Sequence, residues 1–206
     1  SRVIVVPHGV EPTLGADAPA EDELRQRYGL GGGRVIVFPA ITHPHKGHRF
    51  LLDVMAQRWN DPDLRLVLLG GIGTADGDVI EAIATLGLAD RVVRAGRVPD
   101  ADRDGLIALA DALVFPSEYE GFGAPVVEAM ALGTPVICSD QPALAEVVGD
   151  AGLVLPADLD AWADALDIAG ERAPELIAAG RRRAGAFSAA RSGEGLVTAY
   201  RRALER

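Results

Sequence analysis

Val35-Ile36-Val37-Phe38, a helix-like stretch over residues 47–59, then the apolar run over residues 64–69 closed by Gly70-Gly71 decide the fold. The two runs are continuously apolar, where a half-exposed strand would alternate. Such runs suit parallel strands buried on both faces. Between them, Phe50, Leu51, Leu52, Val54 and Met55 recur at helical spacing and give that segment one apolar face. Strand, helix, strand is the βα repeat of a parallel sheet.

The same alternation extends both ways. Apolar runs at 3–6, 92–96, 112–115, 136–138 and 152–155 read as further strands, making seven with the first two. Helices are expected over 22–28, 78–86 and 104–110, with Gly29 and Gly87 as natural stops. After Pro156 the pattern turns helical, over 159–169, 175–187 and 193–204. The last of these carries Leu196, Val197, Tyr200 and Leu204 on one face. The expected fold is an α/β, doubly wound, mostly parallel Rossmann-like sheet with a helical C-terminal tail, in one domain over residues 1–206.

Composition sets outer limits. The 206 residues are 49% hydrophobic and 24% charged, ordinary for a globular chain. The net charge of −10 disfavours nucleic acid and anionic membrane surfaces as partners. No apolar run approaches the ~20 residues of a membrane span. One cysteine, Cys138, excludes an internal disulfide and a cysteine-built zinc site, and fits a reducing, cytoplasmic compartment. The chain opens at Ser1 with no initiator methionine and reads as a piece of a longer protein. Of its 20 basic residues, Lys46 alone is lysine. That singles out a position where a compact ammonium and a planar guanidinium differ in effect.

In open parallel sheets, ligands bind beyond the carboxyl ends of the strands. Those ends carry Pro7-His8-Gly9, the loop from Pro39 to Lys46, Gly70 to Gly73, Gly96-Arg97, the loop from Ser117 to Gly123, and Ser139-Asp140. Gly71-Ile72-Gly73 is placed after the third apolar run, not the first, so it reads as a turn rather than a dinucleotide loop. His43-Pro44-His45-Lys46-Gly47-His48 holds three histidines in six residues. A metal site is one reading. A loop aimed at an anion fits better, because a lysine repels a cation and stands near a helix N-terminus. No metal is expected.

The most specific segment runs from Pro116 to Ala131. Glu120 and Glu128 have seven residues between them, one in a strand-end loop and one on the following helix. Carboxylates accept paired hydrogen bonds from vicinal hydroxyls. Gly121 and Gly123 flank Phe122 and would expose backbone N–H donors. Glu128 stands in an apolar helix, where a carboxylate needs a partner.

Glu-Gly-Phe-Gly-x-Pro-x-x-Glu-Ala-Met-Ala from Glu120 to Ala131, followed by Gly133-Thr134-Pro135-Val136, resembles the donor-binding motif of retaining glycosyltransferases of the GT-B fold, family 4. Pro7-His8-Gly9-Val10, Leu88 to Val98 and Phe187 to Tyr200 are similar to other family landmarks. The resemblance covers nearly the whole chain and implies the C-terminal, donor-binding domain, without the N-terminal acceptor domain. It implies that Lys46 neutralises the donor diphosphate, Glu120 holds the transferred sugar and Glu128 holds the ribose. The Gly121–Gly123 backbone would line the sugar and phosphate site, and Gly96, Arg97 and Val98 would flank the base. Lys46 and Glu120 are the implied catalytic pair. The implied partner is a nucleoside-diphosphate sugar, GDP-mannose slightly ahead of UDP-glucose, with no cofactor. The family's second phosphate clamp, an arginine shortly before the lysine, has no counterpart: Phe38-Pro39-Ala40-Ile41 stands there. His45 or Thr42 would replace it, or the donor is bound differently; Gly9, Thr42 and His45 are the further candidate phosphate contacts. Any membrane contact would run through the absent half. Rival readings are an epimerase or phosphorylase on the same architecture, a non-catalytic nucleotide-sugar module, and a dehydrogenase, the last disfavoured by the missing first-turn glycine fingerprint.

Overall fold

The computed structural model describes residues 4–204. The central apolar runs become β1 (Val35–Pro39) and β2 (Arg65–Leu69), joined by β3 (Val92–Gly96), β4 (Ala112–Phe115), β5 (Val136–Ser139) and β6 (Leu153–Leu155). The order is β3-β2-β1-β4-β5-β6 and every pairing is parallel. Val37 illustrates the register: it lies opposite Val67 on one side and Leu113 on the other. Val35 to Phe38 are fully buried, as a strand covered on both faces requires.

The helices are α1 (Glu21–Tyr28), α2 (His48–Gln57), α3 (Asp76–Thr85), α4 (Asp100–Leu109), α5 (Ala124–Leu132), α6 (Pro142–Val148), α7 (Leu159–Trp162), α8 (Ala165–Glu171), α9 (Ala173–Ala184) and α10 (Ala189–Leu204). α1 is fastened to α4 by a shared carboxylate. Asp102 accepts from Arg27 Nη1 at 2.6 Å and from the Tyr28 hydroxyl at 2.5 Å. Those hydrogen bonds hold the Asp102 carboxyl below the usual carboxylate range, while burial pushes the Tyr28 hydroxyl up to about 12.

Two expectations change, and one helix is new. The apolar run at 3–6 adds no strand: Val3 lies outside the described residues, and Ile4 to Val6 are irregular. The reason is what the segment covers. Val6 lies against Gly195 of α10, Val5 is exposed, and the one ladder contact nearby is a parallel bridge from Val10 to Ser188. The helix expected over 159–169 is two helices. Asp158 caps α7 through hydrogen bonds from the Asp160 and Ala161 amides, and Trp162 is driven fully into the core, its Nε1 donating to Pro156 O at 2.9 Å. The short helix α6 had no expectation. Its start is set by Gln141, whose side chain accepts from the Ala143 and Leu144 amides, with Pro142 at the first turn.

The apolar face of α10 forms at the expected spacing. Yet Leu196, Val197, Tyr200 and Leu204 point outward, with none of the helix buried. Cys138, on β5, is buried, and burial pushes its thiol up to about 12.

Candidate functional site

The strand order reverses between β1 and β4, so the loops leaving these two strands diverge around a crevice. The β1 loop runs through a short turn, Pro44–Lys46, into α2. Gly47 joins them with φ 77, and a Cβ there would lie 2.3 Å from Pro116 O. Only glycine lets the two loops approach this closely. The Glu118 amide donates to His45 O at 2.8 Å and ties them. Lys46 Nζ then meets Glu120 Oε1 at 2.6 Å, with the two side chains 20% and 10% exposed. The Lys46 ammonium also lies 5.9 Å from the Phe115 ring centroid.

The β4 loop continues into α5 through Gly123, which takes φ 86 as the residue before the helix. A Cβ there would lie 2.5 Å from Leu144 Cδ2. Gln141 supports this loop, donating from Nε2 to Glu120 O at 3.3 Å. Phe122 lies between His8 and Phe187, with ring centroids 5.4 and 5.5 Å away. Gly121 and Phe122 face a cavity of about 650 Å³ with His8, Arg183 and Phe187.

A separate cavity of about 500 Å³ opens at the crevice. The ends of β1, β2 and β3 line it, with Gly96, Arg97 and Val98 on one side and Glu128 on the other. Asp100 and Arg103 of α4 complete its charged lining. Burial raises the Glu128 carboxyl above its ordinary value, and the Arg103 guanidinium works against that shift. Arg103 itself donates from Nη2 to Asp104 at 2.8 Å. The cavity therefore offers two carboxylates, Glu128 and Asp100, two guanidinium groups, Arg97 and the anchored Arg103, and apolar walls.

The geometry gathers Gly96, Arg97, Val98 and Glu128 into one cavity and separately pairs Lys46 with Glu120 across the loops that leave β1 and β4. Two phosphate candidates are displaced from that role. Thr42 is buried and its hydroxyl is committed: it donates to Asp76 Oδ1 at 3.2 Å and accepts from the Gly73 amide at 2.7 Å. It fastens the glycine turn after β2 and has no proton left for a phosphate. Gly9 is pressed against the backbone of Ala189, where a Cβ would come within 2.5 Å, and it faces another cavity with Glu11, Asp17 and Asp104. His45 stays beside Lys46, stacked with His43 at 5.9 Å.

Among the described residues, no group of three or more histidine, cysteine or acidic side chains is placed to hold a metal ion. The third histidine of the cluster is inward. His48 is 3% exposed, packs on Phe38 at 4.5 Å and has no hydrogen-bond partner for either ring nitrogen among the described residues. Burial lowers it to about 4, so it is neutral at pH 7.

Asp100, Arg103 and Gln141 are site residues that sequence reasoning missed. Asp100 and Arg103 lie in a charged run, Asp100 to Asp104, that nothing in the sequence ties to a cavity. Nothing in the sequence ties Gln141 to Glu120, 21 residues away.

A wholly parallel doubly wound sheet with its cavity at the switch point defines a Rossmann-like α/β domain. Comparison with known proteins takes this further. The model of the family described as "Glycosyl transferases group 1" matches residues 20–180. The chain is 41% identical over 143 residues to O-antigen chain mannosyltransferase B of Escherichia coli, covering 66% of this chain and 36% of that protein. It is 37% identical over 160 residues to MMP alpha-(1->4)-mannosyltransferase of Mycolicibacterium hassiacum, covering 76% and 36%. Sucrose-phosphate synthase from Thermosynechococcus elongatus superposes with a TM-score of 0.81 at 26% identity, over 97% of this chain and 52% of that one. The chain belongs to the group 1 glycosyl transferases and has the fold of a GT-B family 4 C-terminal domain. It spans about a third of the length of the two mannosyltransferases, 36% of each.

Proposed function

We propose that this chain is the nucleotide-sugar-binding half of a retaining glycosyltransferase, which moves a hexose from a nucleoside-diphosphate sugar to an acceptor hydroxyl without a metal. The observation that carries this reading is the cavity lined by Glu128 at the switch point, together with the Lys46–Glu120 pair held between the loops that leave β1 and β4. A base fits between Gly96, Arg97 and Val98, and the ribose hydroxyls donate to Glu128. Lys46 and the N-terminal amides of α5 face the diphosphate, where positive charge stabilises the leaving group. Glu120 receives the sugar hydroxyls. A lysine among the strand-end loops supplies the charge that a divalent ion would otherwise supply. The names of the two mannosyltransferases support mannose as the sugar, and GDP-mannose is the donor we favour over UDP-glucose.

The acceptor site belongs to the N-terminal half of the two-domain enzyme, and the working location is cytoplasmic. Calorimetry of this chain against GDP-, UDP- and ADP-sugars tests the reading. One nucleotide-sugar should bind, weakly, with affinity unchanged by EDTA. Mixed with donor and acceptor, residues 1–206 alone should give no transfer product. Robust transfer by this chain, or binding lost on chelation and restored by zinc or magnesium, would contradict the proposal.

A further inference from the structure

The Lys46–Glu120 ion pair lies where two different parts of the donor are expected, on two loops that the fold holds together. Its separation of 2.6 Å and its low exposure make it a formed, largely desolvated pair. Lys46 Nζ has no other hydrogen-bond partner among the described residues, and neither has the Glu120 carboxylate. A diphosphate that takes Lys46 as its counter-ion therefore competes with Glu120 for it. Breaking a desolvated pair leaves the other charge uncompensated. Here that charge is a carboxylate, and the arriving ligand is also negative.

We propose that this ion pair discriminates the intact donor from the spent nucleoside diphosphate. The sugar of the donor brings hydroxyl hydrogens that Glu120 accepts as Lys46 turns to the phosphates. The spent nucleoside diphosphate brings none, so it alone leaves Glu120 unpaired. The pair thus disfavours retention of the product and ties phosphate recognition to the presence of a sugar. This inference rests on the nucleotide-sugar reading of the same site. An ammonium has three donors, so the competing arrangement is one in which Lys46 serves Glu120 and phosphate together.

Calorimetry on the 206-residue chain with GDP and GDP-mannose, and with UDP and UDP-glucose as a second pair, separates these. Glu120→Gln should bind the bare diphosphate about five- to tenfold more tightly than the parent, because the pair no longer has to be opened. It should bind the intact nucleotide-sugar more weakly, so that the preference for donor over product falls by at least the product gain. In a Lys46→Met background, Glu120→Gln should give no such gain, since there is no pair to open. Circular dichroism melts of each variant check that the fold persists, and Glu120→Ala repeats the measurement if the glutamine variant does not fold. Unchanged or weaker product binding by a folded Glu120 variant, with the parent binding both ligands, overturns the discrimination alone. A parent chain that binds none of the four ligands overturns the nucleotide-sugar reading, and the discrimination with it.

Discussion

Lys46 shows how one residue carries both stability and recognition. Lys46→Ala removes a charged contact to the diphosphate, a loss of about 1.5–3 kcal/mol in nucleotide-sugar binding. It also leaves Glu120 without its cation, so the melting transition should fall by an amount equivalent to about 1–3 kcal/mol. Lys46→Arg keeps the charge but should still bind the donor more weakly, because a planar fork replaces a compact ammonium between Glu120 and the Phe115 ring. Equal donor affinity for the parent and the alanine variant would place the phosphates elsewhere. Glu128 acts at the other end of the ligand. Burial raises its carboxyl above the ordinary value, and the ionised form, with both oxygens free to accept, is the stronger partner for two ribose hydroxyls. Donor affinity should therefore decline on acidification at a higher pH than an ordinary carboxylate would give. Glu128→Gln should weaken every nucleotide with the same ribose and flatten that pH profile. A glutamine variant that keeps the parent's pH dependence would assign the titration to another group.

At the scale of elements, the α1–α4 fastening is the most exposed to a single change. Asp102→Ala strips Arg27 and Tyr28 of their shared acceptor, and should cost about 1–3 kcal/mol in urea unfolding with donor binding little altered. A variant as stable as the parent would show that the two helices are held by apolar packing alone. Elements were legible in the sequence to the extent that one face or both faces are buried. β1, β2 and β4 are continuous apolar runs and could be read directly. The run at 3–6 has the same composition, but Val6 lies against α10 near the surface, a difference only tertiary contacts decide. α6, with seven residues of mixed burial, carries too short a pattern to read. The site divides the same way. Glu120 and Glu128 share one short motif and were visible together. Lys46 and Glu120 are 74 residues apart, and the strand order, which brings β1 beside β4, is what makes them a pair. Arg103 was invisible because a charged run on a helix looks the same whether it faces solvent or a cavity.

The whole molecule should be sensitive to acid through His48. Unfolded, this imidazole takes a proton near 6.5; folded, burial holds it off until about 4. The unfolded state binds more protons in that window, so the contribution is present above 6.5 and is lost as pH falls towards 4, a difference of roughly 3 kcal/mol. His48→Phe should remove most of that slope in chemical denaturation between these pH values, and an unchanged slope would assign the acid sensitivity to the carboxylates. Cys138 has a different bearing. The chain's single thiol is sealed in β5 and far from its thiolate form at neutral pH. Only a thiolate reacts readily with alkylating dyes. A cysteine introduced at Ile72, exposed next to Gly71 on the cavity lining, would thus take a fluorophore selectively with the native sequence otherwise intact. The buried thiol makes this domain a ready optical reporter, one in which the arrival of a ligand at the crevice can be read as a change in emission.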